Sequence, residues 1–257
     1  YEKTFYPFIL FSKKRYIGYK YEFDLEKYKE TSMGIVTKRR DNAKIVKFVY
    51  KRVMDSLLKH KDLELSLKTL NQDLMDLING KFNLKMLTIT KSLRGFYANP
   101  ESIAHKVLAD RIGEREPGNQ PKSNDRIPYV YIEIPEQKDT KILQGDRVEH
   151  PDFIKANQLK PDYNFYITNQ ILKPVGQIYT LIVETLPGFT KGSDYFDTRY
   201  KYFISKYDGN EKKAYDKITD EKLDIVKKIV FGEVLRCGMN KKNKAREITD
   251  FFKIKPN

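Results

Sequence analysis

Hydrophobic spacing changes character along the chain. Phe5-Tyr6-Pro7-Phe8-Ile9-Leu10-Phe11 is an unbroken apolar run stopped by cations, which predicts a strand. The mixed-charge stretch Asp24-Leu25-Glu26-Lys27-Tyr28-Lys29-Glu30 has no apolar face, and Gly34 after it lets the chain turn back into a returning strand, Ile35-Val36-Thr37. Beyond Asp41 or Asn42, a predicted helix cap, the period becomes three and four: Ile45, Val46, Val49, Val53 and Leu57 define an amphipathic helix to about Lys59. A second helix carries Leu63, Leu67, Leu70, Leu74, Leu77 and Ile78 on one stripe and stops at Gly80. Leu87-Thr88-Ile89-Thr90-Lys91 reads as a short strand, Pro100 to Glu114 as a third helix on Ile103, Val107, Leu108 and Ile112, and 116–125 as a loop. Arg126 to Ile134 predicts a strand, Gly145 to Pro151 a loop, and Tyr163 to Glu184 a helix broken at Pro174. An aromatic and basic stretch, Tyr195 to Tyr207, precedes a last helix over Asp220 to Leu235. Lys241-Lys242-Asn243-Lys244-Ala245-Arg246 closes as a basic tail, as well suited to solvent as to a partner.

Charge sharpens this picture. The formal net charge is +14, with a third of the residues ionisable, a balance that favours a polyanionic partner over a small neutral ligand. No apolar stretch has the length of a membrane span and none at the start resembles a secretory signal, so the chain reads as soluble, intracellular and without a membrane partner. Cys237 is the sole cysteine, which rules out an intramolecular disulfide and a cysteine-rich metal site. His105 and His150 have no partner at ligand spacing and read as structural or solvent-facing.

Two basic runs stand out: Lys13-Lys14-Arg15-Tyr16, after the first strand, and Lys38-Arg39-Arg40, before the first helix. Such runs are common on solvated hairpins. Here the fold-back at Gly34 brings the two together as one patch, with Tyr16, Tyr19 and Tyr21 as flat rings beside it, an arrangement suited to phosphates and sugars.

Ser12-Lys13-Lys14-Arg15-Tyr16-Ile17-Gly18 followed by Met33-Gly34-Ile35-Val36-Thr37-Lys38-Arg39-Arg40-Asp41-Asn42 resembles the back half of a family B DNA polymerase of the delta and large-DNA-virus kind. His105-Lys106-Val107-Leu108-Ala109-Asp110-Arg111 with Arg115-Glu116-Pro117-Gly118, then Asp125-Arg126-Ile127-Pro128-Tyr129-Val130, then Asp162-Tyr163-Asn164-Phe165-Tyr166 before Gln170-Ile171-Leu172-Lys173-Pro174, follow in the order of that family's thumb segments. The resemblance covers roughly residues 1 to 185 and fades in the tail.

The resemblance implies an α+β chain: antiparallel palm-edge strands over 1–42, a mainly helical thumb with a small β element over 43–190, and a thumb extension with a basic tail over 191–257. It further implies that Lys13, Lys14, Arg15, Tyr16, Lys38, Arg39 and Arg40 grip primer-template duplex, with Lys91, Arg94, Lys122 and Arg126 as further contacts on the thumb. Two-metal phosphoryl transfer needs converging carboxylates. The family's Tyr-Gly-Asp-Thr-Asp block is absent; Tyr195-Phe196-Asp197-Thr198-Arg199, its nearest string, is a coincidence. No cofactor is therefore expected on this chain, whereas Mg2+ is implied for the complete polymerase. The expected role is duplex grip that supports synthesis only with the missing palm, fingers and exonuclease parts, in a nucleus or a cytoplasmic viral replication site. The alternative is a non-catalytic nucleic-acid-binding module derived from the thumb; an independent nuclease lacks the acids. An opening at Tyr1 within a strand pattern is that expected of an excised fragment, a processed product or one piece of a divided polymerase, or of removal of an initiator or tag.

Overall fold

Strands β1 (Thr4–Ser12), β2 (Arg15–Glu22) and β3 (Asp24–Met33) form an antiparallel sheet in chain order. They open a computed structural model that describes residues 3–38, 42–134 and 142–252, without the side chains of Leu25, Lys38, Lys242 and 244–252. β1 follows the apolar run, and Ile9 sits opposite Ile17 of β2 on the face that meets the first helix. β3 is the mixed-charge segment, which period reading left without structure. Its residues Glu26 to Glu30 are exposed throughout, so no alternation exists to be read. Backbone pairing holds it, Lys20 to Lys29 and Tyr21 to Tyr28, and the Tyr28 ring packs 4.6 Å from that of Tyr19.

The expected returning strand does not form: Val36–Lys38 is a 3-10 turn, and α1 spans Lys44–Leu58. Nor does a side chain cap α1, whose N-cap is Ala43; Asp41 lies outside the described residues. Ile45, Val46, Val49 and Val53 are fully buried, as their spacing requires, against α2 (Leu63–Ile78), where Leu70, Leu74 and Leu77 are equally buried. Asp62 caps α2 by accepting the Leu65 N–H.

A one-turn helix, α3 (Leu84–Leu87), takes Leu87, the first residue of the expected strand, and β4 begins later, at Ile89–Ser92. β4 pairs with β5 (Arg126–Tyr131), and β5 with β6 (Val148–Glu149), in a second antiparallel sheet. α4 (Ala104–Arg115) packs against it. The stretch expected to be a loop from Gly145 to Pro151 instead contains a 3-10 turn, Gln144–Arg147, and β6, followed by α5 (Pro151–Ala156). Two residues are too few to show a period, and the strand exists because its partner does.

Helix α6 (Tyr163–Phe165) runs through a π turn, Tyr166–Ile171, into α7 (Leu172–Thr180). The change of helix type immediately precedes Pro174, so the regular hydrogen-bond ladder is interrupted next to the proline while the helical path continues through it. Tyr166 is fully buried; its hydroxyl donates to the Leu87 carbonyl at 2.8 Å and accepts the Tyr131 N–H at 3.1 Å, pinning the π turn to the second sheet. The aromatic and basic stretch is α8 (Tyr195–Lys206), and the last helical region is longer than its pattern: α9 (Glu211–Val226), a π turn at Lys227–Phe231, and α10 (Gly232–Phe252). α9 lies close on α7, where a Cβ at Gly176 would come within 2.7 Å of Leu223. Lys241, counted with the basic tail, instead donates to the Ile78 carbonyl at 3.1 Å and to Asn79 Oδ1 at 3.0 Å, closing the carbonyl end of α2. The chain is thus α+β.

Candidate nucleic-acid interface

The first basic run sits on the turn between β1 and β2. Lys13 and Lys14 are exposed there, and Lys14 adopts φ 63°, a conformation costly for a side-chain-bearing residue. That turn is held from the other side. Gly34, at φ 62°, approaches so closely that a Cβ would come within 2.3 Å of the Lys14 carbonyl oxygen. Glycine is required at Gly34 both for its dihedral and for this contact. Gly34 thus sits beside the first run, at the end of a hairpin rather than at the start of a returning strand. Only the backbone of Lys38 is described, and Arg39 and Arg40 lie outside the described residues.

Arg15 and Tyr16 are half-buried and have partners within the chain. Arg15 donates to Gln177 Oε1 of α7 at 2.9 Å and lies 5.9 Å above the Phe11 ring. Tyr16 packs against Phe8 at 5.5 Å and Phe5 at 6.1 Å on the outer face of the sheet. Tyr19, expected beside the phosphates, is buried instead. Strand alternation turns Ile17 and Tyr19 toward α1 and leaves Tyr16 and Lys20 on the opposite face.

The four other candidate cations lie at or next to one end of the β4–β5 pair, where strand alternation puts Lys91 on the face of buried Ile127 and Arg126 on the opposite, exposed face. Ser92 pairs with Arg126 and Lys91 with Ile127. Past the strand ends the Leu93 N–H donates to the Asp125 carbonyl, and the Asn124 N–H to the Leu93 carbonyl, each at 2.9 Å. These bonds place the segment bearing Arg94 beside the one bearing Lys122 and Arg126. Arg94, Lys122 and Arg126 are exposed and Lys91 is half-buried. Behind them His105 shares a 3.1 Å hydrogen bond with the Tyr97 hydroxyl. Burial, then the nearby Lys91 and Arg94 charges, hold its imidazole below the ordinary histidine value. Of the two roles its spacing left open, structural or solvent-facing, the half-buried, hydrogen-bonded His105 takes the structural one.

Sequence reasoning missed the residues that fix α4 to the second sheet, and an exposed aromatic close to Arg94. Glu149 is buried at 3% exposure and receives Arg111 Nη1 at 2.8 Å and both Arg115 terminal nitrogens at 2.8 and 3.1 Å. Arg111 also donates to the Val148 and Gly145 carbonyls, and Arg115 stacks 3.8 Å over Phe153. Burial pushes the Glu149 carboxyl up, but the two guanidiniums outweigh it and leave its pKa lowered. These arginines fix α4 to β6. Phe96, two residues from Arg94, is 81% exposed. A one-residue aromatic has no periodicity, so no pattern announced it.

Among the described residues no three histidine, cysteine, aspartate or glutamate side chains stand together as metal ligands. Nor, among them, is any helix long and apolar enough to cross a membrane.

The family model for DNA polymerase family B matches residues 1–182. The chain belongs to this family. It is 47% identical over 256 residues to a DNA polymerase of Pyramimonas orientalis virus, covering 100% of this chain and 21% of that protein. It is 34% identical over 188 residues to the DNA polymerase delta catalytic subunit of Schizosaccharomyces pombe, covering 71% of this chain and 16% of that subunit. The family B DNA polymerase of the archaeon Pyrobaculum calidifontis shares the fold, with a TM-score of 0.50 and 20% identity over 72% of this chain and 22% of that one. This family B chain thus spans about a fifth of the length of the viral relative.

Proposed function

We propose that this chain is the palm-edge and thumb portion of a replicative DNA polymerase and grips primer-template duplex. Residues 1–42 end the palm, 43–190 form the thumb, and 191–257 extend it. Synthesis requires the palm, fingers and exonuclease parts of the polymerase, which supply the Mg2+ ligands, and its setting is a nucleus or a cytoplasmic viral replication site. The observation that carries the reading is a pair of cation clusters on braced strand ends: the Lys13-Lys14 turn locked by Gly34, and Arg94, Lys122 and Arg126 on the second sheet. Cations fixed on rigid elements neutralise backbone phosphates without reading bases, which is what a grip that slides along any sequence needs. The viral and yeast relatives described above, a DNA polymerase and a DNA polymerase delta catalytic subunit, support this reading.

The test is binding of the chain to a labelled primer-template across a salt series. Lys14→Gly is the informative variant, since glycine keeps the turn at φ 63° while removing the charge. The slope of log affinity against log salt is expected to fall by about 0.9 for each lost phosphate contact, for Lys14→Gly and Arg94→Ala alike, on any sequence. An unchanged slope overturns the site assignment. Tight binding that confers no synthesis when palm and fingers are added would favour the non-catalytic module.

A further inference from the structure

We propose that Phe96 captures an unpaired base at the duplex surface, so that the thumb's second cation cluster distinguishes disrupted from matched DNA. This rests on reading that cluster as a DNA contact. A lone exposed aromatic is ordinary on a protein surface. Phe96 differs in its support and its neighbours. The segment leaves β4 through Leu93, which is buried and hydrogen-bonded in both directions to the 122–126 stretch. The Arg94 N–H then donates to the Tyr97 hydroxyl at 2.8 Å, bridging the residues on either side of the tip, and Tyr97 is itself bonded to His105. A Cβ at Gly95 would lie 3.5 Å from Ser123 Oγ, so the tip rests against the neighbouring loop. From this braced turn Phe96 projects at 81% exposure, with exposed Arg94 two residues before it and the loop that carries exposed Lys122 next to Ser123 lying against Gly95.

Cations and ring have different uses on DNA. The cations meet phosphates on any duplex. The ring gains little on a matched duplex, where base faces are already stacked and entry requires prying a step apart. An extrahelical or frayed base offers a free face, and stacking on an aromatic is then favourable for every base. The combination favours DNA in which a paired tract held by its backbone adjoins one unpaired base.

The experiment compares the chain with Phe96→Ala and Phe96→Trp at one salt concentration. The probes are a matched duplex and the same duplex carrying one extrahelical 2-aminopurine. Phe96→Ala is expected to weaken binding of the bulged duplex roughly tenfold. Its affinity for the matched duplex should stay within about twofold. Phe96→Trp should restore the preference, and 2-aminopurine fluorescence should be quenched by the original chain and by Phe96→Trp but not by Phe96→Ala. The exposed position leaves folding unaffected. Equal effects on both duplexes, or none, overturn the proposal while the duplex-grip reading stands; failure of the unaltered chain to bind either DNA overturns both.

Discussion

Replacing Glu149 by Gln removes the charge that two arginines share while keeping the side chain's shape. The carboxylate is 3% exposed and receives three guanidinium hydrogen bonds, at 2.8, 2.8 and 3.1 Å. Breaking a fully buried ion pair from one side costs about 3–5 kcal/mol. The Arg111 and Arg115 side chains retain 22% and 35% exposure, and Arg111 keeps its two carbonyl acceptors, so water and backbone recover part of that. The expected loss is about 2–3 kcal/mol at neutral pH. The pH dependence follows from the lowered pKa. The folded carboxyl ionises more readily than its unfolded counterpart, whose ordinary value is 4.5, so the stabilisation is fully present above that value. It is lost as pH falls through the lower folded value. Urea unfolding followed by far-ultraviolet circular dichroism suits a chain without tryptophan. The gap between the unaltered chain and Glu149→Gln should close on acidification below 4.5. A gap under about 0.5 kcal/mol at pH 7, or one that widens in acid, refutes the claim that this charge holds α4 to β6.

Gly34→Ala should destabilise the chain by about 1–3 kcal/mol in the same assay, because a Cβ would meet the Lys14 carbonyl oxygen at 2.3 Å in a left-handed conformation. It should also lower duplex affinity by displacing the Lys13-Lys14 turn; stability loss with unchanged binding would separate that turn from the grip. Asp73 works in the opposite sense to Glu149. It is 1% exposed, and burial lifts its carboxyl to about 6 against the pull of Arg52, whose Nη1 lies 2.8 Å away. Because the folded value exceeds the unfolded one, the folded state binds the proton better, and stability falls as pH rises from 3.8 through 6. Asp73→Asn should flatten that decline, which amounts to at most about 3 kcal/mol. The same decline in the variant would assign it elsewhere.

Family membership and the principal helices were legible because they rest on local order. The Lys-Lys-Arg-Tyr and later blocks are contiguous, and the stripes on α1 and α2 repeat often enough to declare a buried face. The strand of β1 was equally plain, whereas β3 was hidden, since a ribbon exposed on its charged residues leaves no period. The same holds for Val148–Glu149, a strand only because β5 lies beside it.

Residue type alone marked Arg15, Arg94, Arg111, Arg115 and Lys241 as equally cationic; tertiary placement divided their work. Arg15 joins the first sheet to α7, Arg111 and Arg115 neutralise a buried glutamate, and Lys241 closes α2, while Arg94 faces solvent beside Lys122 and Arg126. A guanidinium or ammonium acts on whatever oxygen lies within about 3 Å. For Arg111 that oxygen belongs to a residue 38 positions away, and for Lys241 to one 163 positions away. Sequence therefore determined the family, the main helical stripes and the supply of positive charge. Only the folded chain decided which charges were consumed inside it and which were left exposed, because that depends on distances set by packing and not by order along the backbone.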